Sequence, residues 1–421
     1  MLSRESLVRY GERGRDKTMA ETWIEVDLDA VVGNYQEIVK HLTSGSRCMA
    51  VVKADAYGLG AIEVARALAG AGCEAFAVTR VDEGLILREH GIEGLILVLG
   101  PTTPEEWPQA IAAQLQLTLS ELSSIVALNA VCSQLESEPS TQVQIHIKVE
   151  TGMGRTGFQF SDLEALTVAL EKAPHLQVAG IYTHFARAAH RDKRYTLLQY
   201  DRFTSFADRL GELGIHPTWK HVCNSAAFFD YSDWHHDFVR IGTLLIGHYP
   251  GQGFSGKLKL KDPWIAKSRI VHLRKVPKGT YVGYQSIYRT KAETQLAVIP
   301  VGYADGFGLA PHFTPLGWVD FLKIVFKNFA ALFGIFLGVE RVELKGASVR
   351  VAGKIGMQLT VIDVGMKACV LGDEVGIPLR RTVANPRILR KYRQDGQIFS
   401  ERVMIEGVFH FKQNVHYKIT M

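Results

Sequence analysis

The sequence predicts an α/β protein: a (β/α)8 barrel of the TIM type followed by a C-terminal all-β domain. Three observations carry this. At 421 residues the chain exceeds one typical domain. Between Met49 and Ile241, eight short apolar runs mostly alternate with helix-periodic stretches, the rhythm of βα units. After Gly256 that rhythm gives way to short strands separated by glycine and proline turns. The domain limits read as 1–18 for a flexible extension, 19–256 for the barrel and 257–421 for the β domain. An apolar insertion at about 313–339 interrupts the last.

The elements follow in order. Thr22 to Leu28 alternates like a strand, and Asp29 is placed to cap a helix carrying Val31, Tyr35, Ile38, Val39 and Leu42. The barrel strands are Met49–Val52, Ala75–Thr79, Leu95–Leu99, Leu115–Leu119, Val143–Val149, Val178–Thr183, Trp219–Cys223 and Phe238–Ile241. An open doubly wound sheet is the alternative, but no Gly-rich dinucleotide fingerprint follows the first strand. In the second domain the strands are Ile265–Val276, Tyr281–Thr290, Gln295–Val301, Val342–Val351, Gln358–Val364 and Asp373–Pro378. Within the insertion, Trp318, Leu322, Val325, Phe329, Leu332 and Phe336 share one helical face, with Asp320, Lys323 and Lys327 opposite. The run is too short to span a bilayer. It reads as an amphipathic helix packed on the protein or a second subunit, ahead of attachment to a membrane surface.

Composition sets limits on partners. With 47% hydrophobic and 22% charged residues the chain is an ordinary soluble globular protein. A net charge of +5 without basic runs points away from nucleic acid and membranes, and suits an anionic cofactor or substrate. Cys48, Cys73, Cys132, Cys223 and Cys369 lack CxxC spacing, which argues against disulfides and zinc and for the cytoplasm. No metal site is expected. The charged N-terminus does not read as a signal peptide, and Met19 is an alternative start.

Reactive groups fall at strand ends. Lys53 follows the first barrel strand directly, and burial there would lower its pKa and free the amine for Schiff-base chemistry. Lys148 ends the fifth strand, with Arg155 in a Gly-Met-Gly-Arg turn beyond it. His184 follows the sixth, Asn224 and Ser225 the seventh, and Arg240, Gly242 and Thr243 close the eighth. Singly, Lys53 could snorkel to solvent, His184 could be a core residue, Arg155 a solvated turn residue and Asn224-Ser225 a helix cap. Jointly they occupy the carboxyl rim, where such barrels place their active sites. In the second domain, Tyr284 in Val-Gly-Tyr-Gln-Ser-Ile-Tyr is either an amphipathic strand tyrosine or a proton-handling group.

The segments Thr22–Ala30, Ala50–Gly60, Ile96–Gly100, Thr151–Gly157, Gly180–Ala186, Asn224–Ala227, Val239–Gly242, Ile299–Gly306 and Val351–Met357 resemble, in order and near spacing, those of the alanine racemases. The resemblance implies a fold-type III enzyme that uses pyridoxal 5'-phosphate (PLP) and works as a head-to-tail homodimer. It would interconvert L- and D-alanine and supply D-alanine for peptidoglycan. It further implies that Lys53 binds PLP and serves one face of the substrate, with Tyr284 of the partner subunit serving the other. Arg155 would hold the substrate carboxylate, oriented by Lys148, which in this family is often a carbamate. Arg240 would face the pyridine nitrogen, and His184 would bridge Arg240 and Tyr284. Tyr57, Ser225, Gly242 and Thr243 would hold the phosphate, while Leu99 and Asn224 would adjoin the cofactor. Tyr303 and the Met357 backbone would line the entrance and substrate site from the partner chain. The chain departs from the family at Gln285, commonly Gly, and at Gly356 and Gln358, often Cys and Asp. The late phosphate tyrosine of some members is absent before Pro386-Arg387, and neither the 313–339 insertion nor the tail after Lys391 has a counterpart. The rival readings are a racemase of serine, lysine or broad specificity, a decarboxylase of the related barrel class, and a non-catalytic PLP carrier.

Overall fold

The structure is a computed structural model that describes residues 21–135, 142–309, 317–332, 339–405 and 408–413. The expected 1–18 extension and Phe336 lie outside them. The described residues form two compact units, one between Asp27 and Pro263 and a second one comprising those before Asp27 and those from Trp264 onward.

The first unit is the barrel. Its parallel strands are β2 (Arg47–Val51), β3 (Ala75–Val78), β4 (Leu95–Val98), β5 (Gln116–Leu119), β6 (Val143–Lys148), β7 (Leu176–Tyr182), β8 (Trp219–His221) and β9 (Phe238–Ile241). The eight-stranded sheet runs β8-β7-β6-β5-β4-β3-β2-β9. It closes where Arg240 N–H donates to Cys223 O at 2.9 Å beside an Asn224–Arg240 bridge. Helices α1 (Leu28–Val39), α2 (Ala61–Gly70), α3 (Val81–Glu89), α4 (Trp107–Ala112), α5 (Leu122–Gln134), α6 (Leu163–Glu171) and α7 (Arg194–Glu212) alternate with the strands. The cap of α1 is Asp27 rather than Asp29: its carboxylate accepts from Ala30 N–H at 3.1 Å. Asp29 already lies inside the helix, so its carboxylate cannot serve the first turn in that way.

Alternate strand residues turn inward, and the interior divides by chemistry. Met49, Val51, Ala75, Ala77, Leu97 and Phe238 form an apolar half. Strands β5–β9 supply a polar half in which Gln116, Thr118, His146, Lys148, His221 and Arg240 are buried. Such groups persist in a core only when hydrogen-bonded.

The second unit is mainly strand. One eleven-stranded sheet has the order β11-β14-β17-β16-β15-β18-β10-β1-β19-β20-β21. Thr22–Asp27 is β1 of this sheet, and it pairs antiparallel with β10 (Trp264–Arg269), not with the barrel strands beside which the sequence put it. Ile270 and Val271 separate β10 from β11 (His272–Val276), so the expected long strand is two. Likewise a turn at Tyr284–Ser286 separates β12 (Tyr281–Val282) from β13 (Tyr288–Arg289), and a Lys345-Gly346 turn, both residues with positive φ, separates β15 (Arg341–Leu344) from β16 (Ala347–Val351). The remaining strands are β14 (Thr294–Ile299), β17 (Thr360–Gly365) and β18 (Glu374–Gly376). The C-terminal residues form β19 (Leu389–Gln394), β20 (Gln397–Ile405) and β21 (Val408–Gln413). The insertion includes a helix, α8 (Trp318–Leu332), and among the described residues its apolar side chains are largely exposed, Trp318 by 80% and Phe326 by 64%. Among the described residues no helix is long and apolar enough to cross a membrane.

Candidate active site

A cavity of about 500 Å³ opens at the carboxyl rim of the barrel. The structure brings Lys53, Tyr57, Leu99, Lys148, Arg155, His184, Asn224, Ser225, Arg240, Gly242 and Thr243 to its wall. Thr156, Tyr182 and Thr79 also line it. Four lining residues are cations (Lys53, Lys148, Arg155 and Arg240), and none is a carboxylate. Such a cavity is built for an anion.

The cations perturb one another. Burial lowers the Lys53 pKa, and the Arg155 charge lowers it further, against a smaller upward pull from Glu83. Burial, then Arg155 and Arg240, bring Lys148 down to about 8. His184 is pushed down to about 3 by burial and Arg240, so its ring is neutral at ordinary pH. The Tyr57 hydroxyl is raised to about 12 by burial and stays protonated.

Lys53 opens an unusual turn. Ala54, Asp55, Ala56 and Tyr57 all have φ between 50° and 57°, so the chain makes a left-handed helical turn before Gly58. Each non-glycine residue there costs about 1–2 kcal/mol. Hydrogen bonds hold the turn: Ala56 N–H to Val52 O at 2.8 Å, Gly58 N–H to Ala54 O at 3.0 Å and Ala61 N–H to the Asp55 carboxylate at 2.8 Å. Glu83 joins it to the next loop, one oxygen accepting from Ala54 N–H at 2.6 Å and the other from Thr79 and Arg80 N–H at 2.8 and 3.1 Å.

Opposite, the Arg240 guanidinium is buried and held by neutral acceptors. Nη2 donates to Thr183 O at 2.6 Å and Val222 O at 3.3 Å, and Nη1 to His221 O and, at 3.0 Å, to His221 Nδ1. The Tyr182 ring lies 5.0 Å from its carbon. No hydrogen bond joins Arg240 to His184; the bridging role implied for His184 has no Arg240 arm here. Lys148 donates to Thr156 Oγ1 at 2.6 Å rather than to Arg155. Two cations repel, so an ammonium at Lys148 cannot orient Arg155 by direct contact. The Arg155 loop is shaped by Glu150, whose carboxylate accepts from Gly152, Met153 and Arg155 N–H at 2.6, 2.6 and 3.1 Å.

Asn224 does cap the short turn after β8: its side-chain oxygen accepts from Ala226 and Ala227 N–H, both at 3.1 Å. Ser225 instead accepts from Gly242 N–H at 3.3 Å. A Cβ at Gly242 would collide with the Tyr57 hydroxyl, so glycine is needed for this close approach. Ser225, Gly242, Thr243 and Tyr57 therefore form a small polar cradle.

Tyr284, Tyr303 and Met357 belong to the other unit and are exposed there, Tyr284 by 73%. Tyr303 and Met357 come together: Tyr303 N–H donates to Gly356 O and Ala304 N–H to Met357 O, both at 3.0 Å. Gln285, after Tyr284, has φ 61°, and its side chain accepts from Lys354 Nζ. Sequence reasoning missed Thr156, Tyr182, Glu83, His146 and His221. For the strand residues the available signal was parity: His146 shares the face of Lys148, and Tyr182 lies two residues before the already noted His184. Among the described residues no group of three or more His, Cys, Asp or Glu could hold a metal ion.

Comparisons with known proteins show the family of the chain. Residues 26–250 match the family model described as alanine racemase, N-terminal domain, and residues 265–387 that described as alanine racemase, C-terminal domain. The alanine racemase of Clostridium tetani is 33% identical over 92% of this chain and 99% of its own. That of Carboxydothermus hydrogenoformans is 39% identical over 69% of this chain and 77% of its own. Among solved structures, the alanine racemase of Clostridium difficile 630 superposes with a TM-score of 0.79 at 29% identity, covering 91% of this chain and 99% of that one. A Bacillus anthracis alanine racemase with bound L-Ala-P gives 0.77 at 27% identity, covering 91% and 97%.

Proposed function

The chain belongs to the alanine racemase family, and from that premise we propose that it interconverts L- and D-alanine using PLP held by Lys53. The observation that carries this is the cavity itself: a lysine of lowered pKa among three other cations, with no carboxylate in the wall. These residues fit PLP. The cradle of Tyr57, Ser225, Gly242 and Thr243 would take its phosphate, Leu99 and Asn224 would adjoin its ring, and Arg240 would face the pyridine nitrogen.

When bound, PLP supplies an electron-withdrawing ring that acidifies the Cα–H bond of the attached amino acid. Arg240, always charged, would keep the pyridine nitrogen unprotonated, since two positive groups cannot adjoin cheaply. That tempers electron withdrawal and disfavours transamination. Arg155 would bind the substrate carboxylate through its guanidinium fork. Lys53 Nζ would take or return the Cα proton on one face, and the hydroxyl of Tyr284 from the partner subunit would do so on the other. Tyr303 and the Met357 backbone of that subunit would line the substrate site, with His184 beneath Tyr284. A pKa near 8 gives Lys148 a neutral amine fraction that could take up carbon dioxide, and the resulting anion would turn to Arg155. We further assign the enzyme to the cytoplasm, as a homodimer supplying D-alanine for peptidoglycan. The free thiols of all five cysteines suit a reducing compartment.

The test is purified protein with PLP and L-alanine in deuterated water. D-alanine should accumulate with deuterium at Cα, and visible absorbance should vanish in Lys53→Ala. Tyr284→Phe should slow turnover by about 10²–10⁴-fold, the usual scale of a lost acid–base group. Exchange of serine or lysine without alanine would overturn the substrate, and bound chromophore without any exchange would overturn the activity.

A further inference from the structure

The polar half of the barrel interior is a directed hydrogen-bond chain that ends on Arg240. Arg240 Nη1 donates to His221 Nδ1 at 3.0 Å. His221 Nε2 and His146 Nδ1 are 2.8 Å apart, and His146 Nε2 lies 2.7 Å from Gln116 Oε1. Gln116 in turn donates its amide to Gln144 Oε1. A guanidinium can only donate, so the Arg240 bond forms only while His221 Nδ1 is bare and the His221 proton sits on Nε2. That proton occupies His146 Nδ1, so the His146 proton sits on Nε2 and points to the Gln116 carbonyl. Every link then has one allowed direction.

The fold goes to some length to seat His146. A register shift between β6 and β7 at Ile145/His146 sets Gly180 opposite it, and a Cβ on Gly180 would run into the imidazole. Tyr182 stacks on His221 at 4.8 Å and 10°, and Trp219 and Phe238 enclose the rings. Among the described residues neither ring is hydrogen-bonded to an acidic side chain, and the only charged group bonded to the pair is Arg240. Burial and that charge hold both imidazoles neutral, His146 down to about 3.

We propose that His146, backed by Gln116 and Gln144, is a positioning residue: it locks His221 in the Nε2–H tautomer, so that Arg240 meets only neutral acceptors and keeps its full charge for the cofactor. This rests on the assignment of Arg240 to the pyridine nitrogen. A carboxylate in place of His221 would partner the guanidinium and dilute that charge. A wrongly protonated imidazole would present Nδ1–H to it and push it out of place.

The test is Gln116→Glu, a near-isosteric change at the far end of the chain. The new carboxylate should make His146 an imidazolium whose Nδ1–H donates to His221, forcing the His221 proton onto Nδ1. In 15N spectra of histidine-labelled apoprotein, His221 Nδ1 should move from a bare, accepting nitrogen to a protonated one. PLP affinity should fall by about tenfold, the scale of a lost hydrogen bond to a charged group, and the 15N resonance of the bound pyridine nitrogen should shift. If the substituted chain does not fold, Gln116→Met removes the same acceptor, and His221 should then populate both tautomers. His221 remaining fully Nε2–H in the folded variant, or carrying its proton on Nδ1 in the native chain, would overturn the proposal. A tautomer switch with no change at the pyridine nitrogen would keep the relay and overturn the role given to Arg240.

Discussion

Lys148 is buried beside two guanidinium groups, and its amine is correspondingly hard to protonate. The unfolded chain holds that proton up to an ordinary lysine value near 10.5, the folded chain only to about 8. Below about pH 8 both states are charged and the fold carries the full penalty. Between these values the unfolded chain binds more protons, so stability rises with pH through that window. In buffer free of carbon dioxide, Lys148→Met should therefore raise stability at pH 7 by about 1–3 kcal/mol while lowering turnover; equal unfolding midpoints for the two proteins would refute the penalty. Gln285 makes the same point through the backbone. Its φ of 61° suits glycine, the residue the family commonly has there. Gln285→Gly should gain about 0.5–1 kcal/mol in a denaturant titration, the lost Lys354 contact being exposed. No gain would mean that this contact offsets the strain.

At the scale of elements, the left-handed turn after β2 stands out. A strained segment persists where its surroundings over-determine it, and Glu83 supplies much of that constraint from the neighbouring loop. Glu83→Gln cannot accept equally at both oxygens, because one becomes an amide. The turn should loosen by about 1–3 kcal/mol, read as faster hydrogen exchange at Ala54 and weaker PLP binding. Unchanged exchange there would place the constraint elsewhere. The alternation of Thr22–Leu28 marked a strand, but it is the same in either sheet, so it could not say which one β1 joins. The amphipathic period likewise marked α8 and could not show that its apolar face is left exposed.

At the scale of the whole molecule, the tail completes the second sheet. β19 lies beside β1, and Tyr392, Arg390 and Arg402 are almost fully buried. Truncation after Ile388 would strip one edge of β1 and expose a long strand to pairing with other chains. The shortened protein should lose more than about 3 kcal/mol, the cost of emptying one buried aromatic site, and should aggregate on heating; an unchanged melting temperature would make the tail dispensable. The barrel was legible because βα alternation has a period that survives without contacts. The rim was legible because strands deliver their last side chains to one end, which is how Lys53, Lys148 and Arg240 could be grouped before any distance was known. What only the tertiary structure decided were matters of long-range pairing: the sheet to which β1 belongs, the left-handed run at Ala54–Tyr57 that Glu83 braces, and the His146–His221 chain behind Arg240. Local sequence carries period and residue type. It carries neither the partner a strand edge finds nor the neighbour a buried nitrogen faces, because those are set only when distant segments meet.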